Sequence, residues 1–161
     1  MAEHEWAGEA REHFEQGYGE QMAGRIDAAI ECYRRSIAIH PSAEAHTFLG
    51  WALSHQGRHE DAIAECHRAI AVDPTFGNPY NDIGAYFIEM GWWKEAIPWL
   101  EKALAAPRYE NREFAHMNLG RVYEHLGQWE KALKAYKAAL ALNPSYMTAR
   151  QALRLLVGKM N

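Results

Sequence analysis

Histidine is the first residue type to consider for chemistry in this 161-residue chain, because nine copies are present. Imidazole nitrogens ligate zinc and exchange protons near neutral pH. His55 and His59 lie on either side of a predicted turn, and no third ligand follows them at metal-binding spacing. Three further histidines stand at equivalent places of the repeat described below, which favours a packing role: His13, His46 and His116. The sequence therefore predicts neither a metal site nor a cofactor.

The remaining reactive side chains form no catalytic arrangement. Cys66 and His67 are adjacent, and neighbouring residues of a helix point in different directions. The chain has no nucleophile motif, no glycine-rich phosphate loop and no strand pattern. Cys32 and Cys66 occupy non-equivalent places of the repeat, which favours two small apolar side chains in a reducing compartment over a disulfide. We therefore expect no enzymatic activity.

The net charge of the chain, −4 at pH 7, is spread along the sequence without a basic block. Nucleic-acid binding needs clustered lysine and arginine, so we do not expect it as the main activity. No apolar run approaches the length of a membrane span or of a secretory leader, and the first residues are polar and acidic. These observations predict a cytoplasmic protein that does not bind a membrane.

A repeat of glycine and alanine organises the whole sequence. Four times a glycine is followed five residues later by an alanine, and the glycines are 33, 34 and 36 residues apart. A period near 34 indicates a stack of similar units, none of which can bury its apolar face alone. The four pairs are Gly24/Ala29, Gly57/Ala62, Gly91/Ala96 and Gly127/Ala132.

The pattern in each unit predicts two amphipathic helices joined by a tight turn at the repeated glycine. The turn glycine can adopt a positive φ without steric cost. A second glycine recurs inside the first helix of each unit, which predicts that a neighbouring helix approaches too closely for a Cβ atom: Gly17, Gly50, Gly84 and Gly120. The predicted units cover residues 10–42, 43–76, 77–112 and 113–146, and a capping helix follows at 147–158.

This pattern of small residues, turn glycine, alanine and terminal proline resembles the tetratricopeptide repeat family. The resemblance covers nearly the whole chain, so residues 1–161 are expected to form one all-α domain. It implies a right-handed superhelical solenoid, with the first helix of each unit lining a concave groove. It also implies protein or peptide ligands, and therefore a scaffold or adaptor, although the repeat motif itself encodes packing rather than chemistry.

Helical periodicity identifies the side chains that should face the groove. The N-terminal half contributes aromatic anchors and the C-terminal half contributes amides and charge, which suits an extended peptide backbone. Packing between units is the alternative role for Phe14, Phe48 and Trp51. The predicted groove residues are Phe14, Tyr18, Phe48, Trp51, Asn78, Asn81, Asp82, Phe114, Met117, Asn118 and Arg121.

The charges predicted in the groove favour a neutral or mildly basic partner. Some members of the family bind acidic chaperone tails through a clamp of two lysines, an arginine and two asparagines, and the matching positions here lack the three cations. Acidic residues also outnumber the inward-facing Arg11 and Arg121. The inward acidic candidates are Glu15, Glu44, Asp82, Glu89 and Glu124.

Three questions stay open at the level of sequence. The end of the third unit, 106–112, is two residues longer than in the other units. The added length forms either a surface turn or a recognition loop with exposed Arg108 and Tyr109. The chain is expected to be a monomer or a weak homo-oligomer, and a self-assembling structural protein is the alternative to an adaptor. A looser similarity to bacterial pilus-assembly pilotins is a further alternative, although those proteins are lipidated at an N-terminal cysteine that this chain lacks.

Overall fold

The computed structural model describes residues 8–161, and the polar, acidic start of the chain lies outside the described residues. The described part contains nine α-helices and no extended strand beyond one isolated bridge. In chain order they are α1 Glu9–Met22, α2 Ile26–Ile39, α3 Ala43–His55, α4 His59–Val72, α5 Asn78–Glu89, α6 Trp93–Ala105, α7 Arg112–His125, α8 Trp129–Leu142 and α9 Met147–Met160.

The helices pack as consecutive antiparallel pairs, and the pairs stack along the chain. The most extensive contacts join α1 to α2, α3 to α4, α5 to α6 and α7 to α8, and each second helix then contacts the first helix of the next pair. The first helices α1, α3, α5 and α7 also contact one another in sequence, so they line one continuous face of the stack. The prediction of an all-α solenoid is confirmed.

The turns between paired helices depend on glycine. Each turn glycine adopts a left-handed backbone conformation, with φ between 73° and 80°, as the repeat predicted. The alanine five residues later is fully buried at the crossing of the two helices in every unit. These four turn glycines are Gly24, Gly57, Gly91 and Gly127.

The glycines inside the first helices meet a larger side chain of the second helix. A Cβ atom on Gly84 would lie 2.6 Å from Leu100, and one on Gly17 would lie 2.8 Å from Tyr33. Contacts at these distances are not tolerated, so each glycine lets the two helices approach to a spacing that alanine would forbid. Gly120 lies against Tyr136 in the same way, whereas a Cβ atom on Gly50 would first meet the Ala62 carbonyl oxygen of α4, at 3.0 Å.

The longer connection between α6 and α7 folds back onto the preceding unit. The Gly77 N–H donates to the Arg108 carbonyl at 3.0 Å, and the Arg108 N–H donates to the Thr75 carbonyl at 3.0 Å. Tyr109 is only 5% exposed because the Cβ and the first ring carbon of its side chain pack against Gly77, which has no side chain. This burial corrects the alternative of a recognition loop with an exposed Tyr109.

Arg108 holds this connection to two earlier elements. Its guanidinium pairs with Glu44 of α3 at 2.9 Å and with Asp73, after α4, at 2.8 Å. It also lies over the ring of Phe76, 4.3 Å from the ring centroid. Arg108 therefore ties the end of the third unit to the second unit.

The last helix covers the end of the stack with one face and leaves the other exposed. Ala149 and Leu156 of α9 are fully buried against α7 and α8. Leu155 remains 58% exposed and Val157 41% exposed. The helix therefore acts as a cap for α8, and its exposed surface includes large apolar side chains.

The glycine contacts generate a paired test of the packing. Gly120→Ala should lower the free energy of unfolding by about 1–3 kcal/mol, because the added methyl group overlaps Tyr136. Gly19→Ala should raise it by about 0.5–1 kcal/mol, since no atom lies within 4 Å of its Cβ position and alanine favours the helix. Urea unfolding followed by circular dichroism measures both changes. Stability changes of the same sign in the two variants would contradict this account of the crossing.

Candidate binding groove

A pocket opens on the face formed by the first helices. Its volume is about 450 Å³, and its walls come from α1, α3, α5, α7 and the connection between α6 and α7. The cavity therefore spans all four units, and one bound segment can contact each of them. Its lining residues are Tyr18, Thr47, Phe48, Trp51, Asn78, Asn81, Asp82, Tyr109, Asn111 and Phe114.

Aromatic rings form the wall on the side of α1 and α3. Phe48 lies at the centre, with ring centroids 5.8 Å from Tyr18 and 5.8 Å from Trp51, both in edge-to-face geometry. Phe14 closes the row behind Phe48, at 5.2 Å. Such edge-to-face pairs hold the rings in fixed orientations, so the wall is formed before any ligand arrives.

Amide and guanidinium groups continue the groove along α5 and α7. The Asn118 amide donates to the Asn81 side-chain oxygen at 3.1 Å, and Arg121 donates to the Asn118 oxygen at 3.3 Å. Arg121 also lies 3.6 Å from the Glu89 carboxylate. The row from Asn81 to Arg121 therefore joins two neighbouring units by polar contacts that face the groove.

Asp82 places a carboxylate in the pocket with little to stabilise its charge. Its one hydrogen bond from a described residue comes from the Asn81 amide at 3.5 Å, which is long. Burial raises the pKa of Asp82 to about 7, and the Asn81 hydrogen bond offsets only part of that rise. Burial, followed by the Asp82 charge itself, raises the pKa of Tyr86 and of Tyr109.

The structure brings most of the predicted groove residues together. Those that line the pocket are Tyr18, Phe48, Trp51, Asn78, Asn81, Asp82 and Phe114. Asn118 and Arg121 lie beside it in the polar row. Phe14 is half-buried behind Phe48, against the core formed by α2 to α5.

Met117 lies elsewhere. Its side chain is buried in the C-terminal core with Ala132, Tyr136 and Leu156. In helix α7, Met117 stands three residues after Phe114, and the turn of the helix carries it toward α8 and α9. The binding surface proposed below therefore leaves Met117 out.

Thr47, Tyr109 and Asn111 line the pocket but are absent from the predicted set. Tyr109 and Asn111 belong to the connection after α6, whose path no repeat pattern describes. The one signal in the sequence is Gly77 before α5, a small residue at the place where the Tyr109 ring packs. Gly77 can be recognised as the contact site of Tyr109 only when it is known that the connection folds back onto the segment before α5.

Neither a metal centre nor a membrane span emerges from the described residues. Within residues 8–161, no group of three histidine, cysteine, aspartate or glutamate side chains is arranged to hold a metal ion. None of helices α1–α9 combines the length and apolar character that a bilayer crossing requires. The chemistry of the groove is therefore that of its aromatic, amide and carboxylate groups.

Two family models and several curated relatives match this chain. Two models described as tetratricopeptide repeat match residues 14–75 and 114–146. The peroxisomal targeting signal receptor of Eremothecium gossypii is 33% identical over 86 residues, which are 53% of this chain and 15% of the receptor. Anaphase-promoting complex subunit 6 of Arabidopsis thaliana is 27% identical over 133 residues, which are 79% of this chain and 24% of that protein. The chain thus spans less than a quarter of these curated relatives.

Solved structures share the architecture over nearly the full length. The structure of pilF from Pseudomonas aeruginosa has a TM-score of 0.86 and 24% sequence identity, covering 94% of this chain and 68% of its own. A crystal structure of MamA has a TM-score of 0.72 and 26% identity, covering 89% of this chain and 84% of its own. The likeness to pilF concerns the fold alone.

The isolated charge of Asp82 generates a prediction about stability and pH. A carboxyl whose pKa is higher in the folded protein binds its proton more tightly there, so wild-type stability should fall as the pH rises from about 4 to about 7. Asp82→Asn should therefore raise the free energy of unfolding above about pH 7, by an amount on the order of a few kcal/mol. That gain should shrink to nothing near about pH 4.

Urea unfolding at a series of pH values measures this difference. Glu95→Gln is a matched control, since it removes the same charge from an exposed position in the first turn of α6. Its stability should follow the wild-type curve at every pH. A loss of stability in Asp82→Asn at neutral pH would show that the carboxylate supports the fold.

Proposed function

Because the chain belongs to the tetratricopeptide repeat family, we propose that it is a non-catalytic adaptor that holds a segment of a partner protein in the groove of its first helices. The observation that carries this proposal is the pocket of about 450 Å³ to which all four units contribute. An extended peptide or a helix has the elongated shape that such a groove accommodates.

Exposed aromatic rings supply the anchoring surface. Tyr18 is 45% exposed and Phe114 40% exposed, and Trp51 is half-buried between them in the pocket lining. Large apolar side chains grouped around a concavity are typical of binding sites, and central aromatics contribute about 2 kcal/mol or more to affinity. The aromatic wall therefore offers an apolar surface against which a side chain of the partner can pack.

The amide groups supply hydrogen bonds for the backbone of that segment. Asn78, Asn81 and Asn118 each have a side-chain amide that both donates and accepts. Asn81 and Asn118 already exchange one hydrogen bond, which holds them in register on adjacent units. Their remaining donors and acceptors match the alternating N–H and C=O groups of an extended peptide.

The relatives support a polypeptide ligand in general terms. One relative is named as a receptor for a peroxisomal targeting signal and another as a subunit of the anaphase-promoting complex. Both are several times longer than the segment they share with this chain, so their particular partners are not transferred here. The free, buried cysteines Cys32 and Cys66 fit a reducing compartment, and we propose the cytoplasm as the location.

Self-association is a second candidate function, favoured by the outer face of α9. Leu155, Val157 and Met147 leave large apolar side chains exposed on this last helix. If that face is an interface between copies, the sedimentation coefficient should rise with protein concentration and Leu155→Lys should abolish the rise. A coefficient that stays constant across the series would contradict self-association.

A peptide-display selection tests the adaptor function directly. Random decapeptides should be enriched on the wild-type protein, and Trp51→Ala should weaken the best of them about thirtyfold or more, because an aromatic anchor is removed. Trp92→Ala is the control, since Trp92 is 48% exposed at the turn before α6 and does not line the pocket. Fluorescence anisotropy measures each affinity, and thermal melting shows whether either variant is unfolded. Equal affinities for Trp51→Ala and wild type would contradict the groove as the binding site.

A further inference from the structure

Asp82 differs from the other acidic side chains that the sequence directs toward the groove. Each of the other four has a cationic partner within the fold, whereas Asp82 forms no ion pair with any residue between 8 and 161. The four pairs are Glu15–Arg11, Glu44–Arg108, Glu89–Arg121 and Glu124–Lys159. Within the described part of the chain, Asp82 is therefore a carboxylate of the pocket lining without a counter-ion.

The surroundings of Asp82 make this isolation unfavourable for the free protein. The side chain is partly buried, and among residues 8–161 the long hydrogen bond from Asn81 is the only one that it receives. The Tyr109 ring and the aromatic wall of Phe48 and Trp51 line the same cavity, and neither carries a positive charge. A charge removed from water without a partner costs free energy that a bound cation can return.

We propose that the pocket receives a lysine or arginine side chain of the bound segment, with the Asp82 carboxylate as its counter-ion. The inference rests on the proposed peptide-binding function and specifies the chemistry of its ligand. Trp51 and Tyr18 present rings that pack against the alkyl stem of the cationic side chain and attract its charge. Asn78 and Asn81 line the cavity beside the carboxylate and contact the backbone on either side of that residue.

Other ligand chemistries fit this pocket less well. An acidic side chain would place two negative charges together in a partly buried site. A purely apolar side chain would fill the aromatic wall but leave the carboxylate more deeply desolvated than before. A cationic side chain satisfies both surfaces at once, since its stem is apolar and its end is charged.

Binding of the cation should depend on pH, because only the ionised carboxylate attracts it. Burial holds the pKa of Asp82 near 7, so the ionised fraction rises from about 0.1 at about pH 6 to about 0.9 at about pH 8. The affinity for a basic peptide should therefore rise about tenfold across this range. Lysine and arginine side chains stay charged throughout it.

Other titratable and charged groups lie on the elements packed around Asp82. They are Cys66 of α4, Tyr86 of α5, Tyr109 of the connection, Arg121 of α7, and the histidines His55 and His59 at the turn between α3 and α4. Burial raises the pKa of the cysteine thiol and of both tyrosine hydroxyls, so they stay neutral at these pH values. Both histidines remain in an Asp82→Asn protein, so a pH dependence caused by them would persist in that variant.

The test uses random decapeptides with acetylated N-termini and amidated C-termini, so that any cation in them belongs to a side chain. Wild-type protein and Asp82→Asn are each used to select binders, and the best wild-type peptide is then titrated against both. Wild-type binders should carry lysine or arginine at one fixed position. Asp82→Asn should bind the best peptide at least about tenfold more weakly, with no change in affinity between about pH 6 and pH 8.

Two controls isolate the attraction between the carboxylate and the cation from apolar packing and from the net charge of the protein. A peptide in which norleucine replaces the selected lysine keeps the alkyl stem without the charge, and it should show no preference for wild type over Asp82→Asn, because the apolar end desolvates the wild-type carboxylate without neutralising it. Glu95→Gln changes the net charge of the protein by the same amount at an exposed position outside the pocket. It should bind the basic peptide with wild-type affinity.

The outcomes distinguish failure of this inference from failure of the adaptor function. Selected peptides without a basic residue, or equal affinities for wild type and Asp82→Asn, would overturn the cation site while leaving peptide binding intact. A selection that enriches no peptide would overturn both proposals. Because the wild-type pH dependence is measured on the unmodified protein, the inference can also be rejected without any variant.

Discussion

The close approach of the two helices within each unit is the constraint on which the rest of the structure depends. A glycine of the first helix receives a larger side chain of the second, so the pair buries its apolar faces at a distance that no Cβ atom permits. Three of the four units share this contact, which joins Gly17 to Tyr33, Gly84 to Leu100 and Gly120 to Tyr136, whereas Gly50 faces the Ala62 carbonyl oxygen. In every unit the turn glycine at positive φ reverses the chain direction between the two helices.

This constraint decides where binding chemistry can reside. Each first helix uses one face for its partner helix and another for the next unit, so its third face stays free and becomes the groove. Helix packing does not fix the residue types on that face, so they can differ between units. This difference explains why one half of the groove is aromatic and the other is polar. Function in this chain therefore lies in the positions at which the four units differ.

The sequence predicts well what the repeat determines and poorly what lies between repeats. Periodicity identifies Trp51 and Asn81 as groove residues, because a helix whose packed face is known has little freedom in its remaining face. It fails at Tyr109, since the connection after α6 is positioned by contacts with Gly77 that are remote in sequence. It also fails at Met117, where the cap α9 adds a neighbour that a repeat unit alone does not have.

At Asp82, the side chain that best suits the stability of the free protein differs from the one that best suits the proposed binding of a cation. The four other carboxylates that the sequence directs toward the groove are each paired with arginine or lysine, so Asp82 differs from them in lacking an ion pair within residues 8–161. A local arrangement that opposes stability persists in a packed protein when something outside the fold uses it. The surrounding rings make the ionised carboxylate still less favourable, because they exclude water from it without supplying a positive charge. The same low polarity strengthens the attraction between the carboxylate and a cation, so the feature that lowers the stability of the free protein would favour the proposed complex.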